Sequence, residues 1–122
     1  MSESYTDSLE QLRVRLADFA TDRDWDQFHS PKNLSMALIA EAAELVEHFQ
    51  WLSEEQSKAL DEDKHAAVAE ELSDILIYLI RAADKLDVDL IKSTWKKIEK
   101  NEQRYPAEKV RGDARRASEY EK

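Results

Sequence analysis

The segment EAAELVEHFQW, from Glu41 to Trp51, decides the fold of this chain because it contains strong helix formers and neither glycine nor proline. Its apolar side chains return every three or four residues, which is the period of an amphipathic helix. On the helical wheel Glu41 lies at the edge of the apolar face, Glu44 borders it, and Glu47 lies farther toward solvent. Two acids therefore flank a face that we expect to be buried.

A second segment, EELSDILIYLI, places two more acids in the same helical phase. Glu71 and Asp74 stand beside their apolar face as the acids of the first segment do. If the two apolar faces pack together, the four carboxylates meet, and like charges in a partly desolvated groove raise one another's pKa. Neither stripe contains lysine or arginine. The simplest counter-ion is a hard cation with oxygen ligands, and Mg²⁺ is the usual partner of a phosphorylated substrate.

A solvated helix face is the alternative interpretation of these acids. The chain contains 27 acidic residues, and pairs of this kind are common on exposed helices. The repeated phase leaves this alternative and the metal site both open. A di-iron carboxylate centre needs two ExxH motifs and two further glutamates. Glu62 and His65 form the sole ExxH of the sequence, which disfavours an iron centre.

The composition predicts an all-α protein, because one glycine and two prolines in 122 residues are too few for the turns of a sheet-rich fold. We expect four main helices packed as a bundle. Residues 1–7 would be a flexible N-terminus, residues 8–106 one folded domain, and residues 107–122 a charged and loosely ordered tail. The first helix would cover about 8–22 and the second about 31–52, where Ser30 and Pro31 supply an N-cap and a first-turn proline.

Short polar residues mark the other helix starts. Thr6 or Asp7 would cap the first helix, and Asp61 or Asp63 would cap the third, which should end near Leu86. Between the second and third helices, SEEQ (residues 53–56) has the pattern of a capping box. Asp87 would open the fourth helix, which must end by Tyr105 because a proline follows.

The charge of the chain excludes several partners. A formal net charge of −9 disfavours binding to nucleic acid or to an anionic membrane, since both would be repelled. The absence of cysteine excludes disulfides and thiolate metal sites. The sequence has no apolar run of the roughly 20 residues that cross a bilayer and no leader pattern. We therefore expect a soluble cytoplasmic protein.

Several aromatic and polar side chains are candidates for ligand binding. Flat side chains near a metal-phosphate site suit a nucleobase, although a tryptophan of a small helical protein is more often core. The candidates are Trp25, His29, Trp51 and Tyr78. We assign Trp95 to the core, together with Ile91 and Ile98 at helical spacing.

A polar row runs along the edge of the fourth helix. Lys97, Asn101 and Tyr105 recur every four residues and can all donate hydrogen bonds to phosphate or sugar oxygens. A solvated helix end is an equally good interpretation of this spacing.

Four segments resemble the MazG-like all-α nucleoside triphosphate pyrophosphohydrolases, and within them the dCTP pyrophosphatase branch. They are RDWDQFHSPKNL, EAAELVEHFQW, EELSDILIYLI and NEQRYPAEKVRG, with ExxE in the second and ExxD in the third. In one departure, Arg115 and Arg116 are followed by Ala117, where members of this group often have an aromatic residue.

The resemblance implies roles for the candidate residues. Mg²⁺ would be held by Glu41, Glu44, Glu71 and Asp74. The base and sugar pocket would be shaped by Trp25, His29, Trp51 and Tyr78. The triphosphate or the sugar would be contacted by Lys97, Asn101 and Tyr105. The family usually works as a dimer or a dimer of dimers, with pockets built across subunits.

The resemblance also implies a reaction. A deoxynucleoside triphosphate, dCTP or a modified dCTP, would be cut between its α and β phosphates to the monophosphate and pyrophosphate, which would sanitise the nucleotide pool. The same chemistry on another nucleotide such as dUTP is one alternative. A non-enzymatic acidic helical interaction module is the other.

Overall fold

The structure is a computed structural model that describes residues 8–120. Seven α-helices and one 3₁₀ turn, at Asp26–Phe28, follow one another in this range, without a strand. The helices are α1 (Leu9–Asp22), α2 (Pro31–Phe49), α3 (Glu54–Ser57), α4 (Glu62–Lys85), α5 (Leu90–Arg104), α6 (Ala107–Val110) and α7 (Ala117–Tyr120). The all-α prediction is confirmed for the described part, whereas the predicted flexible N-terminus, residues 1–7, lies outside it.

The chain forms two compact units, one that ends at Val88 and one that begins at Asp89. In the first unit α4 packs against both α2 and α1. The second unit contains α5 and the two short helices of the charged tail. No helix in residues 8–120 combines the length and the apolar character that crossing a membrane requires.

Local hydrogen bonds explain where most helices begin. Asp61 caps α4 by accepting a bond from the backbone N–H of Lys64 at 2.8 Å, and both halves of the predicted capping box before α3 are present. The cap of α1 is Ser8, which accepts from the N–H of Gln11. The prediction of Thr6 or Asp7 is therefore wrong, because Ser8 already satisfies a free N–H of the first turn.

Helices α1 and α4 end in turns of the same type, and the turn after α4 corrects the prediction that Asp87 opens the next helix. Asp87 follows the last turn of α4 with a φ of 56°, and the N–H of Val88 donates to the carbonyl of Ala83. This is a Schellman motif, so Asp87 closes α4, and Asp89 caps α5 instead. Asp24, with a φ of 55°, closes α1 in the same way. Both positions are left-handed, a conformation that Asp tolerates better than most residues.

The second helix ends at Phe49, three residues before the predicted Leu52. The N–H of Leu52 donates to the carbonyl of Phe49, which forms a turn after the helix. The chain must become extended at Ser53 to cap α3, and this requirement stops α2 early.

The buried core of the chain is small. Among the described residues, the buried apolar side chains are Ala20, Leu34, Val68, Ile80 and Ala83. The apolar arcs of α2 and α4 are wider than the surface that one neighbouring helix covers, so their outer residues remain exposed. These include Ile39, Val46, Leu72, Leu76 and Leu79.

Helix α5 also exposes the residues that the sequence analysis assigned to the core. Trp95 is 64% exposed in the single chain, and Ile91 and Ile98 are exposed with it. The prediction that these three side chains are core is wrong for the isolated chain. Helical spacing identifies an apolar face, but it does not tell whether the same chain covers that face.

Candidate active site

Three carboxylates meet where α2 packs against α4. Glu41 and Glu44 lie one turn apart on α2, and each offers an oxygen within 4.8 Å of an oxygen of Glu71 on α4. We call these three residues the carboxylate cluster. Asp74 does not belong to this group of three, but its charge acts on Glu41 and on Glu71. The two acidic stripes of the sequence therefore meet, with Asp74 at the side of the cluster.

The carboxylate cluster is poorly satisfied by the protein. Within residues 8–120, neither Oε2 of Glu41 nor Oε2 of Glu71 has a hydrogen-bond partner, and both atoms are buried. Burial, and then the neighbouring Glu44, raise the pKa of Glu41 to about 7. The same two causes raise the pKa of Glu71. Buried oxygens without partners are costly, and three convergent carboxylates are the ligand type of a hard divalent cation. The residues thus fit a cation such as Mg²⁺.

A histidine and a lysine to which the sequence analysis gave no role lie next to the carboxylate cluster. His48 Nε2 lies 3.8 Å from Oε1 of Glu71, and Lys64 Nζ lies 3.4 Å from His48 Nδ1. Since the lysine ammonium only donates, this contact favours the imidazole tautomer with its proton on Nε2, toward the carboxylate. His48 follows Glu44 by one helical turn, so the same helical phase contained this signal.

An aromatic cavity of about 260 Å³ adjoins the carboxylate cluster through Asp74. Its lining combines aromatic and apolar side chains with a few polar ones, including Phe19, Trp25, His29, Asp74, Tyr78 and Arg81. Three of the four predicted pocket residues, Trp25, His29 and Tyr78, therefore lie around one cavity. A cavity of this kind has the apolar walls and few polar groups that are typical of small-molecule sites.

The turn after α1 fixes the position of Trp25. In the Schellman motif that closes α1, the N–H of Trp25 donates to the carbonyl of Ala20 at 2.9 Å. An apolar contact between the residue after such a turn and the last helical turn is typical. Here Trp25 meets Phe19 edge to face, with ring centroids 5.9 Å apart. The indole is thereby placed against α1 at the wall of the cavity.

Arg81 is a residue of the cavity that the sequence analysis missed. It lies on α4, 3% exposed, and its guanidinium contacts Asp26, Asp84 and His29. The sequence did contain a signal, because Asp74, Tyr78 and Arg81 recur at four and three residues along one face of α4. The contact with Asp26 could not be read from that face alone.

The remaining predicted residues are Trp51 in the first unit and three residues of the second unit. Trp51 is 86% exposed and follows the end of α2, so it does not continue the helical stripe of Glu44. Lys97 and Asn101 lie on α5 and Tyr105 at its C-terminal end, all in the second unit. Their proposed roles stay predictions from the resemblance.

Comparisons with known proteins agree on one family. The MazG-like family matches residues 37–119. The dCTP pyrophosphatase 1 of Rattus norvegicus is 46% identical over 109 residues, which cover 88% of this chain and 64% of that protein. The dCTP pyrophosphatase 1 of Homo sapiens is 42% identical over 114 residues, or 92% of this chain and 67% of that protein. The chain thus spans somewhat less than two thirds of the rat relative's length.

A solved structure is also similar. The crystal structure of a pyrophosphatase from Archaeoglobus fulgidus superposes with a TM-score of 0.77 at 36% identity. The match covers 87% of this chain and 99% of that one.

Proposed function

The chain belongs to the MazG-like family, as its motifs predicted, and from this premise we propose that it is a cation-dependent nucleoside triphosphate pyrophosphohydrolase. The observation that carries the proposal is a pair of buried oxygens, of Glu41 and Glu71, that have no hydrogen-bond partner in residues 8–120 and lie near an aromatic cavity. Convergent carboxylates of this kind favour a bound cation, and Asp74, whose charge acts on Glu41 and Glu71, also lines the cavity.

The substrate that we propose is dCTP or a modified dCTP, and the products are the monophosphate and pyrophosphate. The rat and human relatives are named dCTP pyrophosphatase 1, which supports this choice. Trp25 and Tyr78 offer ring faces on which a nucleobase can stack. Stacking accepts any base, so dUTP or another nucleotide is the alternative within the same chemistry.

All four acids have one role in this proposal, which is to hold the cation. Mg²⁺ would be held by Glu41, Glu44, Glu71 and Asp74, and when bound it would supply a Lewis acid for phosphate oxygens and an acidified water. The acids would otherwise repel a triphosphate, so nucleotide binding depends on the cation. His48 lies beside the carboxylate of Glu71, with Nε2 3.8 Å from Oε1, and the aromatic cavity receives the nucleoside.

The test measures pyrophosphate released from dCTP by the purified protein with Mg²⁺. We expect Glu71→Gln to lower kcat more than about a hundredfold, because even partners of metal ligands cost 10- to 100-fold when they are removed. Glu47→Gln is the matched control, since Glu47 is an exposed acid on α2 outside the carboxylate cluster. Full activity of Glu71→Gln would remove the metal assignment.

Two further measurements separate the alternatives. A panel of the common deoxynucleoside triphosphates, with dUTP and methylated dCTP, ranks the bases by kcat/KM. If the chain were only an acidic interaction module, calorimetric titration with Mg²⁺ and a non-hydrolysable dCTP analogue would give no binding heat.

We also propose that the chain works as a dimer or a dimer of dimers. The exposed apolar residues of α2 and α4, together with Ile91, Trp95 and Ile98 of α5, supply faces that an assembly would cover. The exposed Trp51 would then contribute to the pocket of a neighbouring subunit.

A further inference from the structure

Arg81 stands out as a charged side chain buried beside the aromatic cavity. Within residues 8–120 it is the one charged side chain that is buried, at 3% exposure. A guanidinium without water is tolerated only when its N–H groups are paired. Nη2 donates to Asp26 Oδ1 at 3.0 Å, Nη1 to Asp84 Oδ2 at 3.2 Å, and Nε to His29 Nδ1 at 3.2 Å. Each nitrogen of the guanidinium thus has its own acceptor.

The two carboxylates that hold Arg81 are themselves held in place. Lys85 Nζ lies 2.6 Å from Oδ1 of Asp26, and Arg13 Nη1 donates to Oδ1 of Asp84 at 3.0 Å. Because both aspartates have second partners, the guanidinium has little freedom to turn. The planar fork of arginine then fixes the direction in which Nε–H points.

The contact with Arg81 determines where the proton of His29 lies. An arginine has no acceptor and stays protonated, so Nδ1 of His29 must accept with its lone pair. A neutral imidazole that accepts at Nδ1 carries its proton on Nε2. Burial, and then the charge of Arg81, lower the pKa of His29, which keeps the ring neutral.

The remaining ring nitrogen is available to a ligand. His29 lines the aromatic cavity, and its Nε2 has no hydrogen-bond partner among residues 8–120. The N–H that His29 can offer to a ligand in this largely apolar cavity is therefore Nε2–H, because Nδ1 is taken by Arg81. An Nε2–H donor favours a ligand that places a hydrogen-bond acceptor against it. A ligand amino group at the same place would leave both the amino group and Nε2–H without an acceptor.

We infer that Arg81 is a positioning residue that fixes His29 as an Nε2–H donor to an acceptor atom of the bound nucleoside. The inference rests on the proposed function for the identity of the ligand. It assigns no atom of the base or sugar, but it requires an oxygen or an unprotonated ring nitrogen there. Arg81 thereby sets specificity through His29 and does not itself need to touch the substrate.

Nitrogen NMR of the full chain tests the tautomer directly. In protein labelled with ¹⁵N-histidine, long-range proton–nitrogen correlation spectra distinguish the two neutral tautomers and the imidazolium. We expect His29 to show the pure Nε2–H form at neutral pH, and an Nδ1–H form or a mixture would overturn the inference. The spectrum needs no substrate and no variant, so it stands even if variants fold poorly.

Kinetics of variants test the link to the nucleoside. Arg81→Lys keeps the positive charge between the aspartates but loses the Nε donor, so His29 should become a mixture of tautomers. KM for dCTP should rise roughly two- to tenfold, the worth of one hydrogen bond, with kcat within about twofold. His29→Phe should raise KM equally, and an unchanged KM would overturn the role.

Arg15→Gln is the matched control. It removes an exposed cation of α1 that takes no part in the ion pairs around Arg81 within residues 8–120, so tautomer and KM should both stay the same. Circular dichroism checks that each variant is helical. A protein that hydrolyses no nucleotide but keeps the Nε2–H form contradicts the proposed function, and an active enzyme with another tautomer contradicts the present inference.

Discussion

Glu41 carries the main electrostatic conflict of the candidate site at the residue scale. Its pKa rises from the ordinary value of 4.5 to about 7, first through burial and then through Glu44 and Glu71. The folded chain therefore holds a proton, between these two pH values, that the unfolded chain has released. Its charged form is tolerated only with a counter-ion nearby.

The first prediction concerns the pH dependence of stability. Without a cation, the contribution of Glu41 lowers the free energy of unfolding as pH rises from 4.5 to about 7, because the unfolded state binds fewer protons there. Mg²⁺ competes with that proton, so it should raise the melting temperature more at about pH 8 than at about pH 5.5. Thermal unfolding with and without Mg²⁺ measures both effects.

Glu41→Gln is the control for this prediction. The amide cannot be charged, so the variant should be more stable than the wild type at about pH 8 without Mg²⁺, and its response to Mg²⁺ should be smaller. An equal Mg²⁺ response in both proteins would show that the cation binds elsewhere.

The sequence predicted that acids of two helices converge, because helical phase within each helix contains that information. Helical phase was enough to bring Glu41 and Glu44 toward Glu71, because the apolar faces that flank them must pack. The pairing of Arg81 with His29 was not predicted, since it joins α4 to the loop after α1 and depends on tertiary packing. Trp51 was placed on a helical stripe that ends before it.

At the scale of the element, the presence of each long helix was easier to predict than its ends. The four long helices follow the apolar period, but Asp87 looked like a cap and instead lies in the left-handed turn that closes α4. Asp serves in both roles because its short polar side chain tolerates either backbone. Whether an Asp caps one helix or closes another depends on which N–H groups bind the last backbone carbonyls of the helix. The sequence alone does not determine these partners.

The start of α4 gives a prediction at this scale. Asp61 and Asp63 are both exposed acids near the start, but Asp61 is the one that accepts the bond from Lys64. Asp61→Ala should lower the free energy of unfolding by about 1 kcal/mol, the usual worth of an N-cap. Urea unfolding at a fixed protein concentration measures the change.

Asp63→Ala serves as the comparison for this cap. It loses a favourable charge in the first turn, worth about 0.3–1 kcal/mol, and no cap bond. If Asp63→Ala cost more than Asp61→Ala, the assignment of the cap would be incorrect.

At the scale of the whole molecule, the buried core is small and much apolar surface remains exposed. Ile39 is 65% exposed and Val46 is 58% exposed on the same helix, although both belong to the arc that the sequence predicts as buried. A sequence pattern marks apolar faces for burial without distinguishing burial inside one chain from burial between chains. This is why the exposure of Trp95 could not be predicted.

The last prediction concerns association. Ile39→Lys places a charge in the exposed apolar row of α2, so it should convert oligomers to smaller species because a buried unpaired charge is costly. Sedimentation velocity measures the distribution of masses. Ala40→Lys adds the same charge at the next position, which is exposed on the acidic side of the helix, and should leave the masses unchanged. Equal behaviour of the two variants would place the interface elsewhere.

The exposure of the tryptophans has an optical consequence. Trp25, Trp51 and Trp95 are 47%, 86% and 64% exposed in the single chain. An indole in contact with water emits at longer wavelength than one in an apolar surrounding. A surface that covers one of these rings, whether a nucleobase or a neighbouring subunit, would therefore change the wavelength or the intensity of the protein's own fluorescence. The chain carries a spectroscopic reporter for its pocket and for its apolar faces without any added label.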